Sequence, residues 1–314
     1  MKILITSPSF AEHKTLMGEL SQACAPFPHE ISIGLSKDAP LLNHLSRYPA
    51  DVLLVGLEKI DDEIMRAAPQ LKFVAKYGVG LDNIDTVALQ ACGTQIGWTP
   101  GVNKRSVSEL VLSFAMGHCR NVVPSIQLMK NGQWVKSGGR ELSGVTFGIV
   151  GLGNIGLDLA QLLRAFGTTV NYCDVRDRSS VAAPLGCHPV SFEKILQTSD
   201  IISFHVPSSP STRGMLNKEN ISLLRSDALV INTSRGDIVE WDALIHAAQK
   251  GFIGGFAADV YPTEPHDARW STEAKNLYFT PHIGGNSKEA VLAMGRAAIG
   301  HIKEFLANRS RDGR

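Results

Sequence analysis

One stretch constrains this chain more than any other. At 151–156 it reads Gly151-Leu152-Gly153-Asn154-Ile155-Gly156, directly after the apolar run 147–150 and before the helix-period series Leu157, Leu159, Leu162, Leu163 and Phe166. A lone GxGxxG pattern carries little weight. Here a second β-rich run, 168–173, follows the helical series and ends in an acid, Asp174. Strand, glycine turn, helix, strand and acid, in that order, is the context a dinucleotide-binding turn requires. Gly151 permits the tight turn, Gly153 lets a pyrophosphate approach the backbone, and Gly156 lets the helix pack close to the strand. The unpaired N–H groups of the helix start, from Asn154 and Ile155 onward, then face two phosphates. Asp174 can accept hydrogen bonds from both ribose hydroxyls at the adenine end, and its charge repels a 2′-phosphate, which favours NAD over NADP. Arg176 and Arg178, just beyond it, offer such a phosphate some compensation.

At 314 residues the chain has room for two domains, each with its own core. Its 44% hydrophobic and 19% charged content fit a globular protein free in solution, and a net charge of +1 gives no reason to expect nucleic acid or an anionic membrane as partner. Cys24, Cys92, Cys119, Cys173 and Cys187 are scattered, with no CxxC pair and no histidine spacing suited to zinc. They read as reduced core thiols of a cytoplasmic protein. The N-terminus enters a short apolar strand at once, without the pattern of a cleaved leader. No apolar run approaches the roughly 18 residues of a membrane span.

Along the first 99 residues, strand-like runs at 2–6, 30–35, 51–56, 72–77 and 94–98 alternate with helix-period segments such as 11–24 and 61–68. Such alternation implies a mostly parallel sheet covered on both faces. Within it, Lys76-Tyr77-Gly78-Val79-Gly80-Leu81-Asp82 puts glycines at the end of a strand, where open α/β sheets bind ligands. Asp82 is suited to cap the helix that follows. Thr99-Pro100-Gly101 breaks the pattern and reads as the hinge into a second domain. The segment 106–119 is a helix too apolar for a simple surface position, either internal or buried against another subunit. Helix continues over 121–130, and a turn-rich connection leads to the glycine fingerprint.

Past Asp174 a polar connection spans 175–186. Strands are then expected at 200–205, 228–232, 254–259 and 277–280, and helices at 191–198, 218–224 and 241–250. Each strand ends in a polar cluster: His205-Val206-Pro207, Thr233-Ser234-Arg235-Gly236, Asp259, and Pro281-His282-Ile283-Gly284. The C-terminal ends of parallel strands converge on one crevice, so these distant residues are candidates for one site with Glu264. The last helix, 287–307, keeps an apolar stripe (Val291, Met294, Ala298, Ile302, Phe305, Leu306) and is long enough to return to the first domain.

A bound nicotinamide exchanges a hydride, and the cofactor itself carries that step. The protein must orient an anionic substrate and move a proton on or off its oxygen. Arg235 suits the first task, because its forked guanidinium meets a carboxylate at two points. His282 suits the second, since an imidazole exchanges protons near neutrality. Glu264 can hold that imidazole in orientation and favour its charged form. Taken singly, a surface arginine, a packed turn histidine and a solvated loop acid are the plainer readings; their occurrence together at the strand ends of a dinucleotide-binding sheet favours a site. His205 fits a cofactor-loop residue better than the acid-base group.

The pieces KYGVGLDNID (76–85), GVNKRSVSELVL (101–112), ELSGVTFGIVGLGNIG (141–156), HVP (205–207), INTSRGDIVEWDAL (231–244), AADVYPTEP (257–265) and TPHIGG (280–285) resemble, in order and over nearly the whole length, the NAD-dependent D-2-hydroxyacid dehydrogenases. The resemblance lies nearest the branch of phosphoglycerate dehydrogenases and glyoxylate/hydroxypyruvate reductases. It implies that Arg235 is the substrate-carboxylate arginine and that Glu264 and His282 form the acid-base dyad. It further implies that Gly78, Val79 and Gly80 offer N–H groups to the carboxylate, and that Val107, Thr233 and Asp259 line the nicotinamide. Val206 and Pro207 fall on the loop beside the cofactor, with His205, Ser234 and Gly284 as further cofactor contacts. The fold it implies is α/β, with two doubly wound parallel-sheet domains: a Rossmann NAD-binding domain (100–286) inserted in a flavodoxin-like substrate domain (1–99, completed by 287–314). A homodimer is expected, with the 106–119 helix and the segment after it at the interface. Phosphoglycerate dehydrogenases typically carry an Arg-Ser pair after the third strand, whereas this chain has Gly56-Leu57-Glu58, and Glu240 stands where the family more often has Asp or Asn. A small unphosphorylated 2-oxo acid is therefore the expected substrate. The alternatives are a 3-phosphoglycerate-type dehydrogenase and an NAD(H)-sensing scaffold with the same fold.

Overall fold

The computed structural model describes residues 1–35, 37–266, 270 and 276–312. The chain divides into two compact units, Met1–Asn103 with Lys288–Arg314, and Lys104–Ser287. The first unit is built on five parallel strands, β1 (Lys2–Ile5), β2 (Glu30–Ile33), β3 (Val52–Val55), β4 (Phe73–Lys76) and β5 (Gln95–Gly97), in the order β2-β1-β3-β4-β5. This is the flavodoxin-like order. Strands β3 and β4 are buried at every position, which is why β3 reads as an unbroken apolar run and β4 as one ended only by Lys76, instead of alternating. Period-two geometry sends their side chains to two cores. Val52, Leu54, Phe73 and Ala75 pack with Leu16, Leu20 and the terminal helix Lys288–Asp312, through Met294, Ala298, Ile302, Phe305 and Leu306. Leu53, Val55 and Val74 pack with Leu41, Leu45, Ile64 and Met65. The terminal helix thus completes the core of the first unit, and Phe305 stacks on Phe73 at 4.6 Å.

The second unit carries seven parallel strands, β6 (Thr146–Val150), β7 (Thr169–Cys173), β8 (His188–Pro189), β9 (Ile201–Phe204), β10 (Leu229–Asn232), β11 (Gly255–Ala258) and β12 (Leu277–Phe279). Their order is β12-β11-β10-β9-β6-β7-β8. The chain runs outward from β6 to β8 and crosses back to β9, so the topological switch point lies between β6 and β9, where a doubly wound sheet takes its dinucleotide. The helix Lys104–Cys119 buries Val107, Val111, Leu112, Ala115 and Cys119; of these, Val111, Leu112, Ala115 and Cys119 share a core with Leu159 and Leu163 of the fingerprint helix Asn154–Ala165. Arg105 braces the same pair of helices with two hydrogen bonds, 2.8 and 3.1 Å, to the buried Asp158.

Several expectations are corrected. The helix expected over 11–24 is two helices, Pro8–Ala11 and Lys14–Cys24, because His13 caps the second through its ring nitrogen and the Leu16 N–H. Residues 218–224 hold only a 3-10 turn, Ile221–Leu223; the side chains of Asn217 and Asn220 take the N–H groups of Glu219 and Asn217, offering the backbone an alternative to helix. The connection 175–186 contains the short helix Ser179–Ala182. Asp85, not Asp82, caps the helix Thr86–Ala91, accepting the N–H groups of Val87 and Ala88. Of the five cysteines, Cys24, Cys119 and Cys187 are buried, but Cys92 is exposed and Cys173 only half-buried.

Candidate active site

At the switch point, Gly153 precedes the helix Asn154–Ala165, and among the described residues no side chain caps the N–H groups of its first turn. An uncapped helix start is a ready site for an anion. Gly151 holds φ +94°, and a Cβ there would fall 2.7 Å from the His205 carbonyl oxygen and 2.8 Å from Val206 Cγ1. A Cβ on Gly156 would lie 2.3 Å from the Gly151 carbonyl oxygen. The fingerprint and the segment His205-Val206-Pro207 are thus brought together, as the strand ends of β6 and β9 require.

Asp174 closes β7. Its carboxylate, 6% exposed, accepts the N–H groups of Leu152 at 2.8 Å and Arg176 at 2.9 Å. Arg176 Nε lies 3.6 Å from the same carboxylate, and Arg178 Nε donates to the Leu152 carbonyl at 2.9 Å. Both arginines therefore lie close to the acid and the glycine turn. His205 pairs through Nε2 with the Ser203 hydroxyl at 2.9 Å, and burial pushes its imidazole down to about 3. A ring that stays neutral at physiological pH is not suited to donate a proton to a substrate. His205 Nδ1 and the Thr233 hydroxyl are buried without a partner in the described structure. Buried polar atoms are nearly always paired, so two orphans at the C-terminal edge of this sheet fit a polar ligand. With the glycine turn, the uncapped helix and Asp174, they fit a dinucleotide.

Arg235 follows β10 in a turn that the sequence alone did not show to be braced. Asn232, fully buried, accepts the Ser234 N–H at 3.1 Å and hydroxyl at 2.9 Å, and donates to the Arg235 carbonyl at 2.8 Å. The one available signal was an Asn at a strand end, a residue that bonds the backbone two positions on. Arg235 is half-buried, and its guanidinium donates to the Ser234 carbonyl at 2.6 Å. A Cβ on Gly236 would fall 2.0 Å from the Tyr261 carbonyl carbon and 2.3 Å from Pro262 N. Only glycine permits that approach, which sets the Arg235 turn against the segment leading to Glu264.

Glu264 Oε2 lies 2.7 Å from His282 Nδ1, and its Oε1 accepts the Tyr261 N–H at 3.2 Å. Tyr261 is buried and donates its hydroxyl to the Thr280 carbonyl at 2.7 Å; burial, then the charges of Asp259 and Glu264, push its phenol up to about 12. His282 adopts φ +53°, an uncommon conformation for a side-chain-bearing residue. Asp259, 1% exposed, holds the turn around it. Its Oδ1 accepts the Thr280 hydroxyl at 2.6 Å and the Ile283 N–H at 2.7 Å, and its Oδ2 accepts the Gly284 N–H at 2.7 Å. Val107 Cγ2 lies 3.7 Å from where a Cβ on Gly284 would stand, so Val107, Asp259 and Gly284 meet at one corner. His282 and Glu264 themselves are 50% and 39% exposed. Gly78, Val79 and Gly80 follow β4 in the first unit.

A cleft of about 650 Å³ opens beside the Glu264 loop, lined by Trp241, Trp270, Pro262, Pro265 and the acids Asp237 and Glu240. It includes none of Arg235, Glu264 and His282.

Residues 112–284 match the family described as D-isomer specific 2-hydroxyacid dehydrogenase, NAD binding domain. The chain is 34% identical over 290 residues to a glyoxylate reductase of Thermococcus litoralis, covering 88% of this chain and 87% of that protein. It is 31% identical to a D-3-phosphoglycerate dehydrogenase of Methanocaldococcus jannaschii, with 98% of this chain covered and 57% of that longer protein. Among solved structures, D-lactate dehydrogenase from Aquifex aeolicus, complexed with NAD and lactic acid, matches with a TM-score of 0.83 at 25% identity, over 98% of this chain and 96% of that one.

Proposed function

Since this chain belongs to the NAD-dependent D-2-hydroxyacid dehydrogenase family, we propose which of its residues carry the family's reaction and on what substrate. The protein is an oxidoreductase that transfers a hydride between NAD(H) and C2 of a small D-2-hydroxy or 2-oxo acid. Bound NADH supplies the hydride in the reductive direction. Arg235 binds the substrate carboxylate, and Gly78, Val79 and Gly80 supply backbone N–H groups to it. His282 protonates the substrate oxygen from Nε2, while Glu264 holds the opposite ring nitrogen. The observation that carries this reading is the 2.7 Å Glu264–His282 pair, on a turn braced from beneath by Asp259. Gly151, Gly153, Asn154, Ile155 and Gly156 hold the diphosphate, and Asp174 the adenine ribose. Val107, His205, Val206, Pro207, Thr233, Ser234, Asp259 and Gly284 line the rest of the cofactor site.

The Gly56-Leu57-Glu58 segment favours a small unphosphorylated acid. Glu58 folds back onto the Gly56 N–H at 2.6 Å and Leu57 is 91% exposed, so the segment presents an apolar side chain and no cation. NADH and NADPH oxidation with glyoxylate, hydroxypyruvate, pyruvate and 3-phosphohydroxypyruvate tests this; turnover of the phosphorylated acid alone would overturn it. Absence of turnover on all four, with capture of a partner protein that depends on NADH, would favour the scaffold reading. His282→Ala lowers kcat by about 10² to 10⁴, the usual worth of a general acid, with NADH affinity retained. An unchanged kcat removes His282 from the mechanism.

A homodimer is part of the same proposal. The helix Val122–Lys130 buries no residue within its own chain and exposes Val122, Val123, Ile126 and Met129, with Trp134 just beyond. A second copy covers this face. Sedimentation of a single 33.9 kDa species at micromolar concentration would exclude it. No described helix is long and apolar enough to cross a membrane, and the free cysteines suit the cytoplasm.

A further inference from the structure

The first unit holds a lysine that the reaction leaves unused. Lys76 ends β4 and is 4% exposed, a costly place for an ammonium group unless its hydrogens are matched by acceptors. Its Nζ donates to the Gly56 carbonyl and, at 2.7 Å, to Asn83 Oδ1. Asn83 in turn donates from Nδ2 to the carbonyls of Glu58 and Gly56. Glu58, itself buried, closes the circuit by accepting the Gly56 N–H. One ammonium group therefore ties the segment after β3 to the segment after β4.

Between Lys76 and its acceptor Asn83 lies the Gly78-Val79-Gly80 turn. A Cβ on Gly78 would sit 3.2 Å from Lys76 Cε, so the lysine stem runs against the turn. The turn is held at a second point, where the Trp98 indole N–H donates to the Val79 carbonyl at 2.8 Å. Gly78 itself has φ +137°, a conformation open to glycine, and a backbone this permissive has to be fixed from outside. Trp98 holds one point, and the Lys76–Asn83–Gly56 circuit holds both ends of the segment.

We propose that Lys76 is a positioning residue for the substrate: by bridging Gly56 and Asn83 it fixes where the N–H groups of Gly78, Val79 and Gly80 point, without itself touching the substrate. This rests on the reading that those N–H groups bind the substrate carboxylate. A turn held in place binds an anion without first losing its own freedom, so its release raises KM for the acid and leaves the hydride and proton steps alone.

Lys76→Met tests it, since methionine keeps the stem and deletes the ammonium. Wild type, Lys76→Met and Lys76→Arg are compared by steady-state kinetics with glyoxylate and NADH, by NADH fluorescence titration, and by hydrogen exchange of the segment 76–85. Asn83→Ala is run beside them in case removal of the ammonium group from the Gly56 carbonyl and Asn83 Oδ1 prevents folding. The expected result for Lys76→Met is a KM for glyoxylate raised about tenfold, the scale of one charge-assisted hydrogen bond, with kcat and NADH affinity near wild type and faster exchange in 76–85. Lys76→Arg recovers part of the KM, and Asn83→Ala repeats the pattern. Unchanged exchange in folded Lys76→Met or Asn83→Ala overturns the clamp, whatever KM does. Faster exchange with an unchanged KM keeps the clamp but removes the substrate contact from Gly78–Gly80, which overturns the positioning role. A wild type without turnover defeats the functional reading instead, while the exchange data still decide the clamp.

Discussion

Asp259→Asn puts the bracing of His282 to a quantitative test. The carboxylate accepts three hydrogen bonds in a site 1% exposed, two on Oδ1 and one on Oδ2. Asparagine presents only one oxygen. In its better orientation it keeps Thr280 and Ile283, and its NH₂ then faces the Gly284 N–H, donor against donor at 2.7 Å. That arrangement loses one charge-assisted bond, about 1.5 to 3 kcal/mol, and strands a buried N–H at about 1 to 3 kcal/mol more. The turn is the softer partner, because His282 in it already adopts φ +53°. It relaxes outward, and His282 moves with it. A displacement of about 1 Å in a catalytic group costs on the order of 10² in rate. The expected kcat with a 2-oxo acid and NADH is therefore about a hundredfold below wild type, followed by NADH absorbance. A double-mutant cycle separates this from a general loss of structure. If Asp259 acts through His282, Asp259→Asn costs little further in a His282→Ala background. A full additional hundredfold loss there, or a single mutant within threefold of wild type, would refute the bracing argument.

Three further outcomes follow from the second unit. Gly156→Ala sets a methyl group 2.3 Å from a backbone oxygen that cannot rotate away, so NADH affinity falls at least about tenfold, on a clash of the overpacking kind; a dissociation constant within twofold of wild type by fluorescence titration contradicts it. Burial holds the His205 imidazole at about 3, below its unfolded value of 6.5. The unfolded chain thus binds a proton that the folded chain refuses, and the stability His205 contributes is full above pH 6.5 and drains as pH falls toward 3, by at most about 1.4 kcal/mol per pH unit. His205→Gln flattens that acid limb by one proton in urea unfolding between pH 6.5 and 4, and an unaltered slope counts against a neutral buried ring. Asp174→Ala removes the charge beside Leu152 and Arg176 and raises the ratio of NADPH to NADH kcat/KM at least about tenfold, since a 2′-phosphate then meets Arg176 and Arg178 without an opposing carboxylate; equal ratios would place selectivity elsewhere.

Much of the fold was readable because doubly covered parallel strands leave a dense local signal. Val52–Val55 and Leu229–Asn232 are buried at every position, and a short β-branched-rich apolar run such as Val-Leu-Leu-Val, bounded by turn residues, favours a buried strand over a helix segment. The dinucleotide turn was readable in part for a different reason, since Gly156 answers to the Gly151 carbonyl a few residues before it, whereas the approach of Gly151 to His205 and Val206 spans a long separation in sequence. Failures came where side chains compete with the backbone. The 218–224 segment has helical spacing, yet the side-chain oxygens of Asn217 and Asn220 accept the N–H groups of Glu219 and Asn217 at its start, and it holds one 3-10 turn. Strand β8 is two exposed residues paired to Asn171 and Tyr172, and its existence depends on the neighbouring edge more than on its own sequence.

The site divides along the same line. Arg235, Glu264 and His282 could be proposed from sequence because the chemistry calls for their residue types and each stands past a strand end. The residues that hold them could not, since a brace is defined by which backbone groups it meets. Asn232 reaches the Arg235 carbonyl, Asp259 reaches Ile283 and Gly284 across a long separation in sequence, and Lys76 reaches Gly56. Burial separates the two classes. His282 and Glu264, the proposed acid-base pair, are half-open, at 50% and 39% exposure. Asn232, Asp259 and Lys76 are 0%, 1% and 4% exposed. A polar group carried that far from water returns its desolvation cost only through hydrogen bonds of fixed geometry, and fixed geometry is what a catalytic turn needs from its neighbours. Loss of any one brace should therefore leave the reactive groups intact in kind and misplaced in space, so its signature is a kinetic parameter that fails to add to the loss of the group it serves.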